Sequence, residues 1–372
     1  MTEHANHEFI PVAGTYMTGH ERKYVIDCLD TGWVSSLAPI IKKFEEKYAQ
    51  FIGTTYASST SNGTTALHLA YESCGIGPGD EVIMPNLTFI ATANAAKYLG
   101  AKPVFVDVDN ATWNIDPAQI EKKITPKTKA IVPVHLYGVP CDMKHIMEIA
   151  QKHGLKVIED CAESHGASFG NKKLGAWGDA AAFSFYGNKI ITTGEGGMIT
   201  SNDPQIMDRI ELLKNHGMRP QKRYWHEVVG YNYRMTGLQA AFGMGQLDGI
   251  EDILQKKETI GREYHQRLQN IPGISLQETP SGGKRVYWMV NVRVASEFGK
   301  TRDQLADELK KKGIDTRTLF FPMTELPLYQ SSELFPVTHN ISREGLTLPS
   351  GTGLSTSQIE RVAHAVREAQ SN

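Results

Sequence analysis

Two residues in this chain have the type and setting for chemistry on a small molecule, Lys189 and Asp160. Lys189 lies in Ser184-Phe-Tyr-Gly-Asn-Lys-Ile-Ile-Thr-Thr-Gly-Glu-Gly-Gly, directly after the apolar run Ala180–Phe183, which reads as a buried strand. A lysine there is either a solvated loop charge, as most lysines are, or a Schiff-base lysine whose amine is kept reactive by its surroundings. Asp160 ends a second apolar strand, Val157-Ile-Glu-Asp. A carboxylate in that place is costly unless it has a partner. An N-cap or a structural salt bridge would supply one, and so would a buried cationic ring nitrogen. Glu163 and His165 follow closely. A metal set of Asp160, Glu163 and His165 is conceivable, but nothing nearby completes a ligand shell.

A third site feature is Tyr56-Ala-Ser-Ser-Thr-Ser-Asn-Gly-Thr-Thr-Ala-Leu-His-Leu-Ala, a small-residue strand running into a helix. The free N–H groups and dipole of a helix start attract anions, and glycine lets the backbone come close to a ligand. Gly63 and Thr64 are therefore candidate phosphate binders, although Ser, Asn and Thr also cap helices with no ligand present. Gly75-Ile-Gly-Pro-Gly-Asp is a turn with a strand after it. No GxGxxG loop lies between a strand and a helix, which argues against a nicotinamide enzyme.

The elements that must position these residues alternate. Strands at 82–84, 103–108, 130–135 and 156–159 each precede or follow helices expected at 91–98, 117–123 and 143–153. Continuous apolar strands between amphipathic helices imply a mostly parallel α/β sheet covered on both faces. Ligands of such sheets sit beyond the carboxyl ends of the strands, where Asn86–Phe89, Asp160–His165 and Ser184–Lys189 fall. The aromatic, basic segment 219–235 suits a nucleotide or an interface. One long helix, Thr236–Gln269, is expected to link this part to a small α+β unit, giving a large domain over 1–250 and a smaller one over 251–372.

The chain has 372 residues, 40% apolar and 22% charged, with net charge −2. This is a globular composition, and its balance disfavours nucleic acid or an anionic membrane as main partner. Met1–Gly14 lacks an apolar signal core, and no apolar run reaches the roughly 20 residues of a membrane span. Cys28, Cys74, Cys141 and Cys161 are scattered, as expected of reduced thiols in a cytoplasmic enzyme.

Assembled, these pieces resemble the pyridoxal-phosphate (PLP) sugar aminotransferases of the DegT/StrS family. The motifs are Ser-Asn-Gly-Thr-Thr-Ala-Leu (61–67), Thr-Phe-Ile-Ala-Thr-Ala-Asn (88–94), Glu-Asp-Cys-Ala-Glu-Ser-His-Gly (159–166), Phe-Ser-Phe-Tyr-Gly-Asn-Lys (183–189) and Gly-Tyr-Asn-Tyr-Arg-Met (230–235). The resemblance implies fold type I (aspartate aminotransferase-like), with a seven-stranded mixed sheet and a small C-terminal domain. It implies PLP held by Lys189 as a Schiff base, with Asp160 on the pyridinium nitrogen, Phe89 on the ring face and Glu163, at a position often Gln, on the ring hydroxyl. Gly63, Thr64 and Ser184 would hold the phosphate, joined by Asn232 from a neighbouring subunit, so a homodimer is expected. Lys189, where a dehydratase branch has histidine, places the chain with the aminotransferases. The segments 133–138, 187–200, 222–225 and 229–236 resemble most closely the branch that uses L-glutamate and GDP-4-keto-6-deoxy-D-mannose in O-antigen synthesis; dTDP- and UDP-linked sugars are the alternatives. Leu37 and the loop after Phe320 depart from the pattern and are expected near the sugar-nucleotide pocket.

Overall fold

The strand Glu81–Pro85 shows why the sheet is covered on both sides. Ile83 packs into one hydrophobic core, while its neighbours Val82 and Met84 pack into another. Because strand side chains alternate between faces, a strand buried on both faces reads as an unbroken apolar run. Ile131, Val157 and Ala181 fall on the Ile83 side, and Ala130, Ile158 and Ala182 on the other. The computed structural model describes residues 9–371. Met1–Glu8, part of the segment read for a signal, lies outside the described residues.

The large sheet has seven strands, in the order Tyr56–Thr60, Gly197–Ser201, Ala180–Ser184, Lys156–Asp160, Thr128–Ile131, Glu81–Pro85 and Lys102–Val106. Gly197–Ser201 runs antiparallel to both neighbours, and the remaining pairs are parallel. The helices Pro39–Ile52, Met143–His153 and Gly237–Asp248 cover one face; Gly63–Ser73, Ala91–Tyr98 and Pro204–Lys214 cover the other. The carboxyl ends of the parallel strands therefore meet along one edge.

The expected single helix over Thr236–Gln269 is two, Gly237–Asp248 and Ile250–Leu268, separated at Gly249. A Cβ at Gly249 would lie 2.5 Å from Thr18 Cγ2, so the N-terminal segment packs into the break. A third core, containing Ile260, Tyr264, Val292, Leu305, Leu346 and Val362, forms around a four-stranded sheet. Ile10 joins it from the N-terminus: its N–H donates to Gly313 O at 2.9 Å, and its carbonyl accepts from Asp315 N at 3.0 Å. The helix Pro336–Glu344 and the strand Gly345–Leu348 complete this unit. Among the described residues no helix is long and apolar enough to cross a membrane. All four cysteines are buried and unpaired.

Candidate active site

Where the strand ends meet, a cavity of about 770 Å³ opens, within the roughly 300–1,000 Å³ of small-molecule sites. Gly63, Thr64, Phe89, Asp160, Glu163, Ser184 and Lys189 all line it. Two strand-to-helix turns, the turn after Lys156–Asp160 and the loop after Ala180–Ser184 thus converge.

Lys189 Nζ lies 3.7 Å from Glu163 Oε1 and 3.9 Å from the centre of the Trp288 ring. Its side chain is 12% exposed. Burial lowers the lysine's pKa from its ordinary value, against the pull of the Glu163 and Asp160 carboxylates. Burial likewise lifts Glu163 to about 7, opposed by Lys189 and by the Tyr137 N–H that donates to Glu163 Oε2 at 2.6 Å. Both shifts favour the uncharged pair. At neutral pH Glu163 holds a proton part of the time and can donate as well as accept, as a glutamine amide does.

Asp160, 5% exposed, accepts from Thr92 Oγ1 at 2.7 Å and from the Ala162 N–H at 3.1 Å. Thr88 and Thr92 hydroxyls meet at 3.0 Å behind it. No Lys or Arg among the described residues forms an ion pair with it. Burial raises its pKa, and the two hydrogen bonds oppose the rise.

The helix Gly63–Ser73 starts at Asn62, whose side chain accepts from the Thr65 N–H at 2.9 Å. The earlier amides of a helix have no intrahelical partner. A Cβ at Gly63 would lie 2.7 Å from Ser184 Cβ, so glycine alone allows the helix start and Ser184 to share one small cradle.

The aromatic wall was not legible as a site in the sequence. Tyr137 stacks between Trp288 and Phe320, at 6.1 and 5.6 Å between ring centres, and Phe320 meets Phe89 at 5.7 Å. Tyr137 adopts φ 55°, an uncommon conformation for a non-glycine residue. The one local signal was its place in Pro133-Val-His-Leu-Tyr-Gly. Trp288 also donates Nε1–H to Asn188 O at 2.7 Å, bracing the Lys189 loop. Behind it, Lys257, 4% exposed, donates to Trp288 O at 2.9 Å and Ser350 O at 2.6 Å. Burial alone brings Lys257 down to about 7.

This buried amine has a measurable consequence. Unfolded, Lys257 titrates near its ordinary 10.5; folded, near 7. Between those values the unfolded chain holds more protons, so this group makes stability rise with pH there, and its full cost is felt below about 7. At roughly 1.4 kcal/mol per pKa unit, wild type should gain about 2 kcal/mol or more relative to Lys257→Met between pH 7 and 10. Denaturant unfolding of both proteins across that range checks this. A pH-independent difference would mean that Lys257 keeps its charge when folded.

The metal set considered above does not form. His165 bonds Tyr48 OH through Nδ1 at 2.7 Å and Ser184 O through Nε2 at 2.9 Å, and burial lowers its pKa to about 3. It is a neutral brace beneath the strand. His135, Glu159 and Cys161 also cluster, but His135 contacts Glu159 Oε2 and accepts from the Cys141 N–H, while three amides, of Gly175, Trp177 and Gly178, occupy Glu159. Asn86 is buried and ties Thr324 of the smaller unit to the sheet. Asn232 is exposed and lies outside its own chain's cavity, with Oδ1 accepting from Arg234. In the segment 219–235, Tyr233 lines the cavity, while Arg219 pairs with Asp208 and Glu227. Leu37 and Phe321 are exposed and lie outside the cavity; Phe320 lines it instead.

A lysine amine, a buried acid and a helix-start cradle in one cavity match the sequence resemblance. The family model for the DegT/DnrJ/EryC1/StrS aminotransferase family matches residues 15–367. The chain belongs to this family. It is 46% identical to GDP-perosamine synthase of Caulobacter vibrioides over 96% of this chain and 97% of that protein. It is 44% identical to GDP-perosamine synthase of Escherichia coli O157:H7 over 98% of this chain and 100% of that protein. The crystal structure of S. venezuelae DesV superposes with TM-score 0.90 at 34% identity, covering 97% of this chain and 99% of that one. The chain is thus a fold type I, PLP-dependent sugar aminotransferase, working between an amino donor and a nucleotide-linked sugar.

The residues present fit PLP. Asp160 is a buried acid awaiting a cation. The Gly63 cradle is too tight for a Cβ and has helix amides to offer an anion. Asn188 Oδ1, beside Lys189, is buried without a hydrogen-bond partner.

Proposed function

We propose that this enzyme moves the amino group of L-glutamate to C4 of GDP-4-keto-6-deoxy-D-mannose, giving GDP-perosamine and 2-oxoglutarate for O-antigen synthesis in the cytoplasm. The observation that carries this reading is the 46% and 44% identity, across almost the whole chain, to two proteins of that name.

PLP, when bound, supplies an electron sink beside the amino-bearing carbon. In this reading Lys189 attaches the cofactor through Nζ. Once released, Nζ takes the proton from the donor's Cα and returns it at the other end of the transfer. Its lowered pKa leaves more of the amine neutral and able to do so. Asp160 holds a proton on the pyridinium nitrogen, gaining the cation it lacks. Glu163 meets the ring hydroxyl, its shared proton allowing either polarity. Gly63, Thr64 and Ser184 hold the phosphate, and Phe89 covers the ring. Asn232, exposed and outside its own cavity, reaches a second copy's phosphate, so the active form is a homodimer with shared sites.

The test is a competition. PLP-loaded protein is given L-glutamate and equal GDP-, dTDP- and UDP-linked 4-keto-6-deoxy sugars, and products are read by mass spectrometry. Amination of the GDP sugar is expected with at least about 100-fold preference, since a site built to hydrogen-bond one base leaves its polar groups unpaired against another. Amination of a dTDP or UDP sugar instead would overturn the substrate while leaving the Lys189 chemistry intact.

A further inference from the structure

Five charged residues line the cavity: Asp160, Glu163, Lys189, Glu195 and Arg317. Four belong to the strand-end site or its loop. Arg317 does not. It comes from the smaller unit, on Arg317–Thr318, the edge strand of the four-stranded sheet, where it pairs in register with Thr347, itself a cavity residue. Among the described residues the Arg317 guanidinium has neither a hydrogen bond nor an ion pair. Other arginines are engaged: Arg293 with Glu344, Arg219 with Asp208, Arg267 with Glu263 and Glu360.

The charge balance gives this position a task. Lys189 is taken up by the cofactor and by Glu163, and the helix start by a phosphate. Both substrates of a sugar-nucleotide transaminase are anions, and with Asp160 set against the ring nitrogen and Glu163 against Lys189, the charged lining residues left uncommitted are Glu195 and Arg317. Arg317 is the one lining cation left to meet those anions, and its planar fork matches paired oxygens, whether of a carboxylate or a diphosphate. We infer that Arg317 is a substrate oxyanion-binding residue on the small-domain wall of the cavity. The inference rests on the sugar-nucleotide transaminase reading and assigns one of its anion contacts. The anion is the amino donor's carboxylate or the sugar nucleotide's diphosphate, which occupy the site in turn.

The experiment compares holoenzyme with Arg317→Gln and Arg317→Lys, using whichever sugar nucleotide wild type aminates in the competition above. KM for L-glutamate, KM for the sugar nucleotide, kcat and the calorimetric Kd of the matching nucleoside diphosphate are measured. Arg317→Gln should raise at least one KM by about 10- to 100-fold, the range of a lost charge-assisted hydrogen bond, with kcat within about threefold. Arg317→Lys, which keeps the charge and loses the fork, should recover part of the loss. A parallel rise in nucleoside diphosphate Kd assigns the diphosphate; a rise in glutamate KM alone assigns the donor carboxylate. If both KM values and the Kd stay within about twofold, or only kcat falls, Arg317 is an edge-strand surface charge and the inference is wrong. Failure of the GDP reading is seen in wild type, whereas failure here is seen only as variants that match wild type.

Discussion

Replacing Lys189 with alanine is expected to lower turnover by at least about 10³-fold, as loss of a covalent attachment and a proton carrier together would. Lys189→Arg is expected to be nearly as inactive. The arginine keeps a cation next to Glu163, but its guanidinium stays protonated and cannot take a proton from carbon. The pair therefore separates two roles for a buried cation 3.7 Å from Glu163 Oε1. If charge alone mattered, arginine would serve. Borohydride reduction and peptide mass mapping should mark Lys189 in wild type and nothing in either variant. Small primary amines should restore part of the alanine variant's activity, because the Trp288 and Glu163 side leaves room where Nζ was. Retention of more than about a tenth of turnover by Lys189→Arg would show that the lysine is only an electrostatic contact.

Legibility of this site in the sequence follows from topology. Lys189, Asp160, Gly63, Thr64, Ser184, Phe89 and Glu163 all lie in one cavity because parallel strands bring their carboxyl ends to one edge. Each belongs to a short segment whose pattern, strand then polar turn, is local. The other wall was not readable in that way. Trp288, Arg317 and Phe320 lie far along the chain from the large sheet and reach the site by tertiary packing; only Phe320 had a neighbouring segment expected near the pocket, and no strand-and-turn pattern marks the other two. Lys257 is the sharpest case. On the Ile250–Leu268 helix it is one of two adjacent lysines, Lys256 and Lys257, yet it is buried against Trp288 and Ser350 while Lys256 is only half-buried. The break at Gly249 was hidden for the same reason. An isolated glycine in a helical pattern is tolerated, and only the packing of Thr18 shows that this one ends a helix. The small-unit helix Pro336–Glu344 had a signal in Pro336 at its start, a favoured place for proline.

Asp160→Asn is expected to act in opposite directions on catalysis and on the stability of the cofactor-free protein. Burial raises the Asp160 pKa above its ordinary value, so the folded state holds this proton more tightly than the unfolded one. Such a group favours folding below its unfolded pKa, and that contribution is lost as pH rises through the folded pKa. At neutral pH the ionised carboxylate is therefore a net burden on the empty fold. Asparagine keeps the shape, its oxygen accepting from the Ala162 N–H and its amide donating to the Thr92 hydroxyl, whose own proton can turn to Thr88, so the cofactor-free variant should be as stable as wild type or more stable. Turnover should fall by about 10²- to 10³-fold, the scale of losing one fixed charge from a low-dielectric site, because an amide cannot keep a ring nitrogen protonated. Denaturant unfolding at pH 5 and pH 8 and steady-state rates measure the two effects separately. The stability difference should favour the variant more at pH 8 than at pH 5. A variant that loses about 3 kcal/mol of stability and activity together would instead make Asp160 a structural anchor for Thr92 and the Ala162 turn. A buried acid bonded only to a hydroxyl and an amide is what a cation-binding role predicts, and an anchor would need no charge.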